Sequence, residues 1–167
     1  MRLHLFNFNC MRYTAKGEHN RHFELFDDNG DSIGRIDYDG WFSVNVTLQY
    51  RGMEYQVAPS NVWHTAILVT QGDREVAEIR QNWAGHLVLH MADGNTYLYK
   101  HGFFDTRMTL YNADEQALVV VQPDFKWSKF SFNYEMEAND NYLEAKDGLL
   151  MLILIYCCNN KKRHGAA

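Results

Sequence analysis

Two histidines four residues apart, a run of acidic and amide residues, and a tryptophan flanked by lysines are the places where this 167-residue chain has side chains suited to chemistry. Asp27-Asp28-Asn29-Gly30-Asp31 offers the oxygen donors of a calcium loop. Its glycine stands fourth where the EF-hand needs it sixth, and Tyr38 occupies the position of the bidentate glutamate, so a tight hairpin turn is expected instead. His86 and His90 share one face of a predicted strand, about 13 Å apart, too far to hold one metal ion, and read as solvated. The same spacing on a helix would suit zinc, but no HExxH signature is present. His19 and His22 fall near a strand entry. Glu75 and Glu78 lie on opposite faces of their strand and make no acid–base pair, and Cys10 and the serines have no base partner in the sequence. With no GxSxG elbow, P-loop or dinucleotide fingerprint, no catalytic residue, cofactor or metal is assigned. The candidate ligand-binding residues are Lys126, Trp127 and Lys129, in Pro123-Asp124-Phe125-Lys126-Trp127-Ser128-Lys129-Phe130. An indole between two ammonium groups can meet a lipid headgroup or stack on a ligand ring; the plainer alternative is that Trp127 covers one end of the fold. Trp41, Trp63 and Trp83 sit at predicted strand edges, where rim packing is expected.

The elements that would position these residues are strands. Period-two alternation is clearest in Phe42-Ser43-Val44-Asn45-Val46-Thr47-Leu48-Gln49, whose apolar residues share one face. It recurs in Phe130, Phe132, Tyr134 and Met136, which places Phe130 inward. Glycine turns at Asn29-Gly30, Asp39-Gly40, Arg51-Gly52, Gly72-Asp73 and Asp93-Gly94 punctuate the runs. Between them about twelve strands are predicted, at 2–8, 22–26, 32–38, 42–49, 53–58, 64–70, 74–80, 86–91, 95–100, 106–112, 116–122 and 130–136, and the short connections favour antiparallel neighbours. The strand–turn–strand layout of 23–36 returns at 65–79 and at 109–120, a weak internal repeat of hairpins within one sheet.

One segment has no polar face. Gly148 to Cys158 would form a helix of roughly 16 Å at 1.5 Å per residue, too short for a hydrocarbon core of about 30 Å. A helix that is apolar all round must then be buried in protein. About twelve strands enclose a wider interior than eight, enough for a rod about 10 Å across. The fold class expected is therefore mainly β, a closed, roughly twelve-stranded antiparallel barrel around a C-terminal hydrophobic helix. One domain spans 1–160, with the helix at about 141–158 and a basic flexible tail over 161–167. Asn139-Asp140-Asn141 or Asp147 would cap the helix start, and Asn159-Asn160 would end it.

Composition fits a packed globular chain, 46% hydrophobic and 14% aromatic with two prolines. A formal charge of −5 gives no bulk attraction to nucleic acid or anionic lipid, although Lys161-Lys162-Arg163-His164 is a local basic run. The first residues lack a signal peptide's apolar core, and three cysteines without metal-ligand spacing suit a reducing cytoplasm.

Strands ending in a hydrophobic helix, with the hairpin Phe23–Ile36, the segment Glu75–Ile79 and the terminal run Asp147–Cys157, resemble the tubby C-terminal domain, the phospholipid scramblases and the LURP-one-related proteins. The resemblance spans nearly the whole chain and implies a closed barrel around the helix. It implies function less directly, since such proteins range from phosphoinositide-dependent regulators to proposed lipid scramblases. The proline-rich and cysteine-rich segments of the scramblases have no counterpart here, and no phosphoinositide motif matches residue by residue. The leading expectation is a non-enzymatic intracellular binding or scaffold domain that meets a phospholipid headgroup, phosphoinositide included, or a protein partner, without nucleic acid and without a transmembrane span. The alternatives are a hydrolase or transferase with a groove at the strand-end loops, and a membrane-anchored, scramblase-like protein.

Overall fold

The computed structural model describes residues 10–63, 65–101 and 106–164, the last three as backbone. Twelve strands form a closed antiparallel barrel in which each pairs with its neighbours in sequence and β1 with β12. They are β1 (Cys10–Glu18), β2 (His22–Phe26), β3 (Ser32–Tyr38), β4 (Val46–Tyr50), β5 (Met53–Pro59), β6 (Ala66–Gln71), β7 (Arg74–Gln81), β8 (Leu87–Met91), β9 (Thr96–His101), β10 (Met108–Tyr111), β11 (Ala117–Lys126) and β12 (Ser131–Asn139). One helix, α1 (Gly148–His164), follows. Mainly β with a closed barrel and a C-terminal helix is the fold class the strand count predicts.

The helix lies inside the barrel. Leu150 to Cys158 are at most 2% exposed, and α1 touches strands on well-separated sides of the wall. Gly148 lies against Tyr50 of β4 and Leu152 against Gly34 of β3. Cys158 Sγ is 2.8 Å from Tyr99 Oη of β9, and Tyr134 Oη of β12 donates to Asn159 Oδ1 at 3.0 Å. Around it the inward residues of each strand complete the core, among them Phe23, Leu25, Ile36, Leu48, Leu89 and Leu110. Seven large apolar side chains from Leu149 to Ile155 each contribute about 1.5–3 kcal/mol at most, so the rod is the barrel's core. No helix among the described residues is long and apolar enough to cross a membrane.

Close approach sets where glycine must stand. A Cβ at Gly17 would lie 2.4 Å from Phe132 O and 2.5 Å from Phe23 Cε1, and one at Gly148 would lie 2.4 Å from the Tyr50 ring. Asp147 caps the helix: its Oδ1 accepts Leu149 N at 3.0 Å and its carbonyl accepts Met151 N at 3.0 Å. The alternative cap at 139–141 is not used. Nor does Asn159-Asn160 end the helix. Asn159 is fully buried and bonded to Tyr134, so the side chain that would have competed for the backbone is occupied, and α1 runs on to His164.

The strand predicted at 2–8 lies outside the described residues. The alternation does not mark β1, because two of its three inward residues, Ala15 and Gly17 beside Tyr13, are too small to show as apolar positions. β4 starts at Val46 rather than Phe42. Ser43 N bonds Gly40 O at 3.3 Å, Asn45 N bonds Ser43 Oγ at 3.0 Å, and Asp39 N bonds Asn45 O at 3.1 Å. That closed turn outcompetes the alternation and leaves Phe42 94% exposed. Phe130 also points outward. It ends the 3-10 turn Trp127–Lys129 with φ 46°, and Ser131 takes the buried place beside it. β11 continues through Pro123 to Lys126, past Val121, the last residue that β10 pairs; the missing N–H is tolerated where one neighbouring strand has ended.

The weak repeat has a structural basis. Asp27 Oδ1 accepts the N–H groups of Asn29 and Asp31, and Asn112 Oδ1 accepts those of Asp114 and Gln116. The strand before each turn carries a register shift at the corresponding place, Leu25/Phe26 and Leu110/Tyr111. The third copy has its shift at Val69/Thr70, before the tight turn at Gly72-Asp73.

Leu152→Ala is expected to lower unfolding free energy by about 2–5 kcal/mol in a denaturant titration, since the cavity would sit mid-rod against Gly34; a loss below about 1 kcal/mol would place the helix outside the wall. Burial raises the phenols of Tyr99 and Tyr134 well above their ordinary value, and burial followed by the Glu144 charge raises Tyr97 to about 12. A raised acid favours the folded state only while it stays protonated. Stability is thus full below pH 10 and falls above it, as the unfolded chain ionises first, by about 1.4 kcal/mol per pH unit for each fully masked phenol. Ultraviolet titration should show these tyrosines ionising only with unfolding; ten tyrosines titrating together in the folded protein would contradict it.

Candidate functional site

Because consecutive strands alternate in direction, connections fall at two ends of the barrel. The end where α1 starts holds the turns 27–31, 51–52, 72–73, 92–95 and 112–116. The end where α1 finishes holds 19–21, 39–45, 60–65, 82–86 and 127–130. The predicted ligand residues are at this second end. Lys126, Trp127 and Lys129 are brought together within one turn, and Trp127 is 78% exposed. Its indole stands edge-on to Phe125 with centroids 4.9 Å apart, Phe125 in turn edge-on to Phe132 at 5.1 Å, and Phe132 is 6.2 Å from Tyr134. Trp127 is therefore the outer rung of an aromatic ladder rooted in the core, and does not cover the barrel. The ammonium groups are engaged on the surface. Lys126 Nζ is 2.5 Å from Asp124 Oδ2, which raises its pKa, and Lys129 Nζ is 3.9 Å from Glu18 Oε1.

Backbone bonds fix this loop to its neighbour. His19 N donates to Lys129 O at 2.9 Å, Asn20 N donates to Ser131 Oγ at 3.1 Å, and Ser131 is fully buried. Arg21 lies 5.4 Å from the Trp41 ring centroid, with His19 edge-on at 6.2 Å. Trp63 and Trp83 are not rim packing, at 85% and 99% exposed; Trp41, 59% exposed, packs in part against Arg21 and His19, and all three stand on connections of the same end. The strand count alone assigns all four tryptophans to one end, once the alternation of hairpins is followed.

His86 and His90 do not share a strand, since β8 begins at Leu87. His90 is exposed on β8 near Thr96 Oγ1 at 3.3 Å. His86 precedes the strand, held by Asn82 Oδ1 through its N–H, and is half-buried with its ring 6.1 Å from that of His101. His101 Nε2 meets Lys161 Nζ of α1. A polar cluster thus lines the mouth where the helix emerges, in place of a solvated His86. Among the described residues, no three His, Cys, Asp or Glu side chains are grouped to hold a metal ion. Glu78 is held by Arg80, whose hydrogen bond lowers its pKa.

At the opposite end lies an open cleft of about 790 Å³, lined by residues that include Tyr13, Arg35, Tyr50, Arg51, Met53 and Lys146. Its charges have local partners: Arg35 with Asp37 at 2.8 Å, Lys146 with Asp140 at 2.5 Å, and Arg51 over the Tyr50 ring at 5.2 Å. Its carboxylates are occupied as well, Asp27 by backbone N–H groups and Glu54 by Gln56 Nε2 at 2.9 Å. Burial and then the Asp27 charge raise the Tyr13 phenol.

Trp127→Ala should change folding stability by no more than about 0.5 kcal/mol by chemical denaturation, as for other exposed positions. A loss of several kcal/mol would restore the covering role.

No family model matches the chain, and no curated protein matches it in sequence. An X-ray structure of a protein from Arabidopsis thaliana is similar in fold, with a TM-score of 0.63 over 92% of this chain and 91% of that one. At 10% identity the likeness shows the fold alone.

Proposed function

We propose that this chain is a non-enzymatic cytoplasmic binding domain of the tubby-like, LURP-one-related and scramblase-like kind, meeting a phospholipid headgroup or a protein partner at one barrel end. The observation that carries the reading is the filled interior. The space that barrels of other kinds reserve for a ligand is taken by α1, with Leu150 to Cys158 at most 2% exposed. What remains for recognition is the outer wall and the two mouths, and one mouth holds Lys126, Trp127 and Lys129 in a single turn. An enzyme would instead use the cleft beside Arg35 and Arg51, where the titratable groups already have structural partners.

Flotation of the full chain with vesicles, with and without phosphoinositide, tests the lipid part. The chain should rise with the vesicles, and Lys126→Glu combined with Lys129→Glu should reduce the floated fraction several-fold. Failure to float with any lipid composition would remove phospholipid from the reading.

A further inference from the structure

Tryptophan is ordinarily among the most buried residues on average, yet all four tryptophans of this chain are exposed by 59% or more, and all four stand on connections of one barrel end. Phe42, Val62 and Phe130 stand with them at 94%, 88% and 67% exposure. The opposite end has no such set: Leu143 and Met53 are its large exposed apolar residues among those described. Apolar exposure this concentrated marks a contact surface.

Charge divides the same way. The connections and the 140–147 segment at the helix-start end carry ten carboxylates against two cations, Arg51 and Lys146. The tryptophan end carries Arg21, Arg107 and Lys129 on its connections, and the last turn of α1 reads Lys161-Lys162-Arg163. Among the described residues, Asp39 is the one carboxylate on those connections. A chain of net charge −5 thus has a cationic, aromatic end and an acidic end, separated by the length of the barrel.

Resting on the binding-domain reading above, we infer that the tryptophan end docks on the surface of an anionic phospholipid bilayer. The indoles of Trp41, Trp63, Trp83 and Trp127 would sit at headgroup depth, the acidic end facing away. Indole suits that layer because its ring is apolar and its N–H still finds a partner. Anionic lipid supplies the complement to the basic rim, and repulsion of the acidic end sets the orientation. The bilayer is favoured over a protein partner because the rings are distributed over four separate connections around a mouth and not gathered in one pocket.

The tryptophans are their own reporters. The full chain is mixed with phosphatidylcholine vesicles that contain or lack phosphatidylserine, and partition and tryptophan emission are read together. Binding only to the anionic vesicles, a blue shift, and quenching by lipids brominated near the headgroup are expected. Partition should weaken from 0.1 to 1 M salt as the screening length falls from about 10 to about 3 Å. Trp63→Ala with Trp83→Ala, both highly exposed and so tolerable to the fold, should lower partition roughly tenfold per ring, the weight of about 60 Å² of apolar surface. Lys129→Glu should lower it at least about fivefold, the equivalent of about 1 kcal/mol per cation. Binding with unchanged emission, or equal binding to uncharged vesicles, would overturn this docking face and leave the binding-domain reading standing. Absence of binding to every vesicle would overturn both the docking face and the lipid part of that reading, leaving a protein partner.

Discussion

An apolar rod with no face that tolerates water constrains everything else in this molecule. Gly148 to Cys158 cannot lie on a surface and is too short to span a bilayer, so the preceding chain must surround it. The number of strands, their inward alternation and the small residues where wall and rod approach closely all answer that requirement. Gly34 and Gly148 show the tolerance: a methyl group at either position would meet Leu152 or Tyr50 below van der Waals distance. Even the polar atoms inside are arranged around the rod. Tyr99 meets Cys158, Tyr134 meets Asn159, and Tyr156 Oη donates to Val44 O at 3.2 Å, so these three phenols of the wide interior each have a partner.

Enclosure also moves function outward. Each of the twelve described strands has a paired neighbour on both sides, so an open edge is confined to staggered strand ends such as β11 beyond Val121, and because the lumen is full, recognition falls to side chains on the outer wall and at the ends. Those two ends differ chemically. One is built from Asx-led turns such as 27–31 and 112–116, in which carboxylate and amide oxygens bind backbone N–H groups. The other includes longer connections that carry largely exposed aromatic residues, such as 39–45 with Trp41 and Phe42 and 82–86 with Trp83. Trp127 is the best-anchored of these, since the Phe125–Phe132–Tyr134 ladder ties it to the core.

Much of the architecture was legible because its signals are local. Tight turns at Gly30, Gly52, Gly72 and Gly94 all have positive φ, and each separates two strands as predicted. The structure departs from the sequence pattern where a local signal competes with another constraint. β1 shows little alternation because Gly17 must stand where Phe23 and Phe132 approach the backbone, a constraint no periodicity records. Phe42 and Phe130 look like core residues by spacing, but turn hydrogen bonds at Ser43 and the 3-10 turn before Phe130 decide their placement. Lys126, Trp127 and Lys129 stand out in the sequence by residue type alone. Their kinship with Trp41, Trp63 and Trp83 is a property of strand parity, which residue type and local spacing do not record.

The order of the elements has one more consequence. The seam of the barrel is the β1–β12 pairing, from Cys10 opposite Asn139 to Ala15 opposite Tyr134, and the rod begins only after the seam's second strand ends. A sheet of twelve strands that zipped shut early would lock its own core outside. Assembly must therefore hold the seam open until the last helix has arrived, leaving a broad greasy trough exposed to other chains for that interval. Loop closure over nearly the whole sequence makes the step slow, so folding yield, more than the final stability of the barrel, is where this architecture is vulnerable.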